Sequence, residues 1–387
     1  MKEQHTKHSA LARPDYGVFG RQEWAIVGMP CTHIQQLAFA LTADLKTQYR
    51  IAYVDADHAA ADAEAPSGQD ATCATTHGAA LQYTDKITFH RLDSATRPER
   101  QWFDNADLVL INGNHFAAKR QIVVIDPRKE ASLRKRLDQL TDIQLILLTA
   151  PEQSVYPFLQ DKLAGSVPIL LHTDYQGIKQ WLTRKMEAAL PPLYGLVLAG
   201  GESRRMGHDK GSIVYHRKPQ REHVADLLQL FCPQIFISHR PGQLLSDSTY
   251  PLLEDTFLHL GPYGAILSAF RQHPDAAWLV VACDLPLVDT KTLQSLLLGR
   301  NRSSVATAFY NPATHFPEPL LAIWEPRAYP RLLQFLAQGY SCPRKVLINS
   351  DVTLLEVPNP DSLLNVNLPD EARAVQQHLE STRKHSQ

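Results

Sequence analysis

The chain has no paired cysteines to build a framework from. Its five, Cys31, Cys73, Cys232, Cys283 and Cys342, are scattered over 387 residues, and none forms a C-x-x-C pair. This excludes a cysteine-based zinc ribbon or a dithiol redox motif. The odd number also argues against a full disulfide set, so a reducing, cytoplasmic setting is expected. Long hydrophobic runs are missing too. "LILLTA" and "WLVVAC" are too short to cross a bilayer, and the first twenty residues lack the apolar core of a signal peptide, so no membrane association is expected. There is no excess charge of either sign, with 39 Lys and Arg against 40 Asp and Glu. No global field draws the protein to nucleic acid or anionic lipid, so any anion site must be local.

What is present is ordinary globular material: 44% hydrophobic and 20% charged residues. The length suggests two or three domains. Strand-like and helix-like segments alternate throughout, which predicts α/β layers around mostly parallel sheets. In the first half strands are expected at 24–28, 50–55, 87–90, 107–112, 121–126, 143–149 and 167–172. Helices are expected near 33–48, 128–139, 153–163 and 174–188. An Ala/Asp/Thr-rich stretch after the second strand, "ADHAAADAEAPSGQDATCATTHGAA", reads as a mobile surface loop. The adjacent prolines of "EAALPPLYG" stop a helix and place a domain boundary near Pro191. A second series follows, with strands expected at "YGLVLAG", "QIFISH", "AWLVVACD", "SSVATAFY" and "PLLAIW". Its helices are expected near 219–231, 264–272, 290–298, 325–338 and 369–380.

The most informative stretch is "LVLAGGESRRMGHDKG" at 196–211. A near-continuous apolar strand runs into Gly200-Gly201, then Ser203, Arg204, Arg205, Met206, Gly207, Asp209 and Lys210. Ligands of open α/β sheets bind at the carboxyl ends of strands. Glycines let backbone N–H groups approach an anion, while Arg204 or Arg205 and Lys210 can neutralise phosphate charge. The loop matches neither the P-loop consensus nor G-x-G-x-x-G, and glycine-rich turns with incidental cations are common.

Beyond these features, "LAGGESRRMGHDK" resembles the signature of the molybdenum cofactor guanylyltransferases, the MobA family of nucleotidyltransferases, at every fixed position. "LEDTFLHLGPYGAIL" (253–267), "VVACDLPLV" (280–288) and "LLNVNLPDEA" (363–372) continue the similarity. The resemblance implies a Rossmann-like nucleotidyltransferase domain at 194–380. It also implies transfer of GMP from GTP to the terminal phosphate of molybdopterin, with release of pyrophosphate and with Mg²⁺ as cofactor. It places Leu198, Ala199, Gly200, Gly201, Ser203, Met206, Gly207, Lys210, Asp255 and Asp284 around the nucleotide. Lys210, Arg204 and Asp284 would be the catalytic group, with Asp284 the metal ligand. Arg344, Lys345, Asn365 and Asn367 would face molybdopterin, and His315 is a further candidate there. Molybdenum-insertion proteins and apo-molybdoenzymes are the implied partners.

Two departures stand out. The family places an Asn at the end of the strand after its first helix, where this chain has Ser238, His239 and Arg240. The family's Gly-Pro-Leu-Ala-Gly run is here "GPYGAI", with Gly261 and Pro262 kept. Guanine over cytosine rests on the second glycine, since related cytidylyltransferases tend to carry L-A-A-G. A CTP-dependent or sugar-phosphate nucleotidyltransferase, and a non-catalytic module delivering the cofactor, remain alternatives.

In the first half, "WAIVGMPCTHIQQLAFAL" has the strand–turn–helix form of a P-loop. His33, Ile34 and Gln35 nevertheless stand where Gly, Lys and Ser or Thr would be needed. The segment "DLVLINGNHFAAKRQIVVID" faintly resembles MobB-type GTP-binding proteins, with Asn112 where an acidic residue is usual. The expectation is a flexible N-terminus (1–20), a degenerate P-loop-like domain (21–188), a linker (189–193), the MobA-like domain (194–380) and a tail (381–387). The first domain would serve as a scaffold or docking module.

Overall fold

Short apolar runs bounded by glycine, proline and polar clusters become buried strands, and the intervening 3.6-period segments become helices laid on them. The computed structural model describes residues 18–56, 76–78, 103–201, 209–243, 245 and 248–385. The chain divides into two compact units, residues 1–190 and 191–387.

The first unit holds β1 (Gln22–Val27), α1 (Cys31–Leu45), β2 (Ile51–Ala56), β3 (Thr76–Gly78), β4 (Leu108–Asn112) and β5 (Arg120–Ile125). After these come α2 (Glu130–Arg134), β6 (Ile143–Leu148), β7 (Ile169–Leu171) and α3 (Tyr175–Ala188). The sheet order is β3-β2-β4-β1-β5-β6-β7. Every pairing is parallel except that of β3 with β2. Ile34, Leu37, Ala38, Leu41 and Leu45 of α1, spaced at helical period, are buried against one face. Trp181 of α3 packs on Trp24 of β1 there, with ring centroids 5.1 Å apart. At the β1–α1 turn Gly28 has φ +101, and a Cβ there would lie 2.3 Å from the Val124 carbonyl oxygen, so only glycine fits.

Two helices expected from the sequence are not continuous α-helices. Over 128–139, Asp126 caps a 3-10 turn at Pro127–Lys129, α2 adds little more than one α turn, and a second 3-10 turn covers Leu137–Gln139. Within α2 the only buried side chain is Leu133, too little packing to hold a long helix together. Over 153–163 only a 3-10 helix, Pro157–Lys162, forms. Pro157 pushes Tyr156 into extended backbone (φ −61, ψ 135), so no helix can run through it. The strand expected at 87–90 lies outside the described residues, as does the Ala/Asp/Thr-rich stretch apart from Ala56 and β3.

The second unit begins with β8 (Leu193–Leu198), α4 (Gln220–Gln229), β9 (Ile235–His239), β10 (Leu252–Glu254), α5 (Pro262–Gln272) and β11 (Ala277–Ala282). It continues with α6 (Thr290–Leu298), β12 (Ala306–Asn311), β13 (Phe316–Trp324), α7 (Ala328–Ala337), α8 (Pro343–Ile348), β14 (Val352–Glu356) and α9 (Pro369–His385). The order is β10-β9-β8-β11-β13-β12-β14. All neighbours are parallel except β13, which runs against both β11 and β12. The chain leaves β8 towards β9 and later returns to β11 on its other side. A crevice therefore opens at the carboxyl end of β8, where ligands of such sheets bind. The edge strands β10 and β14 and the short helix α8 were not anticipated. Helix α9 also runs to His385 rather than ending near 380, since "HLESTRKH" contains no glycine or proline to stop it.

Candidate active site

A cavity of about 340 Å³ sits in that crevice. One wall is the end of β8 and the turn after it, Leu198, Ala199, Gly200 and Gly201, with Ser238 and Asp255 from β9 and the end of β10. The other wall is Cys283 and Asp284 after β11, with Leu320 of β13. Lys210 and Asn367 lie across its mouth. A Cβ at Gly200 would stand 3.0 Å from Asp255 Oδ2, whereas one at Gly201 would meet no protein atom within 4 Å. The first glycine lets backbone and carboxylate approach; the second leaves space in the cavity.

Lys210 opens a 3-10 turn, Lys210–Ser212, whose start is fixed by Asp209 accepting from Gly211 N at 3.0 Å. Asp209 is itself braced by Arg221 of α4 at 3.1 Å and by the Gln243 amide at 3.5 Å. The same amide donates to Ala199 O at 3.2 Å, tying the β8 turn to the Lys210 turn. From this support Lys210 Nζ donates to Asn367 Oδ1 at 2.7 Å and lies 3.6 Å from Asp284 Oδ2. Asn367 is carried by a segment docked on the same carboxylate residue, since Val366 N donates to the Asp284 carbonyl at 2.9 Å. Glu371 of α9 then accepts from Asn367 N and Leu368 N at 2.7 and 3.0 Å, fixing the turn.

Burial pushes the Asp284 carboxyl above the usual carboxylate range, opposed by the Lys210 ammonium and then by the Asn365 amide. Its Oδ1 is buried and accepts no hydrogen bond. That is the environment a divalent cation would complete, with substrate phosphates and water as the remaining ligands. Among the described residues no group of three or more His, Cys, Asp or Glu forms a protein-only cage. Asp255 is buried beside Ser238, whose hydroxyl donates to its Oδ1 at 2.7 Å. Burial raises its carboxyl to about 6, with Ser238, His239 and Arg240 acting the other way.

The structure thus brings together Leu198, Ala199, Gly200, Gly201, Lys210, Asp255, Asp284 and Asn367. Ser203, Arg204, Arg205, Met206 and Gly207 lie outside the described residues. Asn365 acts on Asp284 from its edge. Arg344 and Lys345 sit in the first turn of α8 and do not line the cavity; Arg344 faces Glu318 at 3.8 Å, and Lys345 stands over the Tyr340 ring. His315 is at the tip of the β12–β13 hairpin (φ 61), where it bonds Tyr310, and is no part of the cavity. Where the family pattern has an Asn, Ser238 turns inward to hold Asp255, and His239 bonds the Arg240 carbonyl through Nδ1. Sequence reasoning missed Gln243, Arg221 and Leu320. Gln243 lies just past "ISHRPG", and only the fold shows its amide returning to Ala199.

A mostly parallel sheet with a cavity at the carboxyl end of β8, lined by Gly200, Gly201 and a lysine–aspartate pair, is the arrangement of a nucleotidyltransferase. Residues 195–352 match the model of the MobA-like NTP transferase domain. The chain is similar to the molybdenum cofactor guanylyltransferase of Pseudomonas putida, 32% identical over 197 residues, which are 48% of this chain and 98% of that one. It thereby belongs to the molybdenum cofactor guanylyltransferase family. It is also 35% identical over 189 residues to a molybdenum cofactor biosynthesis bifunctional protein of Synechocystis. That match spans 48% of this chain and only about half (54%) of the Synechocystis protein. Among solved structures, molybdopterin-guanine dinucleotide biosynthesis protein A of Archaeoglobus fulgidus is 24% identical with a TM-score of 0.43, covering 49% of this chain and 99% of its own.

Proposed function

We propose that the second unit transfers GMP from GTP to the terminal phosphate of molybdopterin. The reading is carried by the Lys210–Asp284 pair, 3.6 Å apart across the mouth of a cavity walled by Gly200 and Gly201. In this transfer an oxygen of the acceptor phosphate attacks the α-phosphorus of GTP. The bond to the β-phosphate bridging oxygen breaks, and pyrophosphate leaves with that electron pair. The attacking oxygen is already ionised, so no general base is needed. The obstacles are anion–anion repulsion and charge building on the leaving group.

Lys210 supplies positive charge where these phosphates must crowd, and its bond to Asn367 holds the ammonium in place. The backbone of 198–201 takes the nucleotide, with Ser238 and Asp255 at the same end. Guanine over cytosine follows from the second glycine, Gly201, beside which the space is open. Asp284 would hold Mg²⁺, which when bound neutralises phosphate charge; the unbonded Oδ1 fits that role. Asn367 bonds Lys210 and Asn365 acts on Asp284, so both would face the acceptor from the metal side. The first unit, without the lysine and hydroxyl of a working P-loop, serves as a scaffold or docking module.

The test is direct. Purified protein is incubated with molybdopterin, Mg²⁺ and GTP, CTP, ATP or UTP in turn, and dinucleotide product and pyrophosphate are measured. Product with GTP alone supports the proposal; product with CTP alone moves the chain to cytidylyl transfer; none with any nucleotide overturns the enzymatic reading.

A further inference from the structure

Past β9 the chain reads Arg240-Pro241-Gly242-Gln243. This is the pattern of a type II turn, with proline presetting the second position and glycine free to take positive φ at the third. The turn forms: Gly242 has φ +75, and Gln243 N donates to the Arg240 carbonyl at 3.1 Å. The side chain closes it a second time, since Gln243 Oε1 accepts from Arg240 N at 3.1 Å. With its oxygen so committed, the amide presents its N–H groups the other way. They donate to Ala199 O at 3.2 Å and to Asp209 Oδ2 at 3.5 Å. Both acceptors belong to residues that line the cavity, one on the glycine turn after β8 and the other at the start of the Lys210 turn.

The two turns abut, for a Cβ at Gly211 would stand 3.5 Å from that of Ala199. They are not secured alike. The glycine turn continues β8 and is held by the sheet, with Ala199 N donating to Ser238 O at 3.2 Å. The Lys210 turn lies outside the sheet, a single 3-10 turn capped by Asp209. Arg221 ties that cap to α4, and Gln243 ties it to the glycine turn. A charge that must meet phosphates in the transition state is effective only where its support fixes it beforehand. We propose that Gln243 is a positioning residue that sets Lys210 in register with the glycine turn, so that the ammonium stands at the phosphates when GTP occupies that turn. This rests on the guanylyl-transfer reading above. Gln243 does not line the cavity and acts through Asp209.

The test uses the full chain and steady-state kinetics with molybdopterin and GTP varied separately. Gln243→Met keeps the length of the side chain and loses its three polar bonds. It should lower kcat about five- to twentyfold, the scale of a misplaced catalytic group, with both KM values within about twofold of the wild type. The KM for GTP holds because the glycine turn stays in the sheet. Gln243→Glu is nearly isosteric but turns a carboxylate on Ala199 O and Asp209, so it should lose at least about fivefold more. Adding Asp209→Asn to Gln243→Glu removes one of the opposed charges and should recover most of that extra loss. A merely structural residue would lower the melting temperature and leave kcat intact. Wild-type kcat in Gln243→Met, a loss confined to either KM, or no recovery in the double variant would each overturn the inference. If Gln243→Glu does not fold, Gly242→Ala strains the turn without meeting any atom within 4 Å. It should lower kcat in the same sense, and a wild-type kcat there sinks the proposal. Absence of any guanylylated product with the wild-type protein would refute the underlying reaction instead, before any variant is compared.

Discussion

Lys210 Nζ and Asp284 Oδ2 lie 3.6 Å apart, although they stand 74 positions apart in the chain. Each has about a fifth of its side chain exposed (18%), so the pair is partly shielded but reachable by a ligand. In the free protein the ammonium offsets the charge of a carboxylate whose burial disfavours it. In the proposed transfer the same ammonium would meet phosphate oxygens.

Replacing Lys210 by alanine should therefore lower kcat by about 10²- to 10³-fold, the usual loss when one preorganised electrostatic partner of the transition state is removed. GTP should still raise the melting temperature, because backbone contacts at 198–201 remain. Asp284→Asn should lose a comparable factor and should not melt below the wild type, since burying the carboxylate is itself unfavourable. Turnover assays and thermal melts of both variants check this; wild-type turnover in either would remove that residue from the catalytic group.

Asp255 gives the second unit a pH dependence with a definite sign. Its carboxyl is raised from 3.8 to about 6 in the folded state, chiefly by burial. Between those values the folded protein holds a proton that the unfolded chain has released, so this group's contribution to stability falls as pH rises from about 4 to about 6 and levels off above. Asp255→Asn abolishes that dependence. Urea unfolding should show the variant gaining on the wild type by on the order of 2 kcal/mol between pH 4 and pH 7. A difference that does not vary with pH would show that the carboxyl is not raised.

The parts of this architecture legible in the sequence were those with a local cause. The apolar run before Gly200-Gly201 gives β8, the double proline ends α3, and Asp289 caps α6 through Thr292 N at 2.8 Å, so both ends of that helix fell where expected. Lys210 was legible from the long signature "LAGGESRRMGHDK" and Asp284 from the separate segment "VVACDLPLV". Non-local features were not. Glu318 meets Arg344 only because α8 packs against β13, and no local pattern gives that packing. Gln243 matters only because its loop folds back on Ala199. The helix expected over 153–163 failed on a local rule that was available, namely proline at its middle. The short edge strands β10 and β14 carry too little periodicity to stand out.

Outside the site, Arg300 and Glu325 form a buried ion pair. Their side chains are 9% and 1% exposed, and Arg300 reaches both carboxylate oxygens, at 2.6 and 2.9 Å. Glu325→Ala strands a buried guanidinium, so the second unit should lose about 3 to 5 kcal/mol. Replacing both by methionine should recover much of that loss, because the penalty is the uncompensated charge and not the missing pair. Denaturant unfolding of the single and double variants separates the two; equal losses would refute the desolvation account.

Gly28 tests whether the first unit contributes to catalysis at all. With φ at +101 and the Val124 carbonyl oxygen 2.3 Å from where a Cβ would be, alanine there strains the backbone and forces β1 away from β5. Positive φ in a non-glycine residue costs about 1 to 3 kcal/mol, and the clash adds to it. Gly28→Ala should therefore lower the melting of the first unit alone. If that unit is only a scaffold, kcat and both KM values should match the wild type below the new melting temperature. A fall in kcat under conditions where circular dichroism shows the first unit still folded would mean that the β1–α1 turn takes part in the reaction, despite lacking the phosphate-binding lysine of a working P-loop.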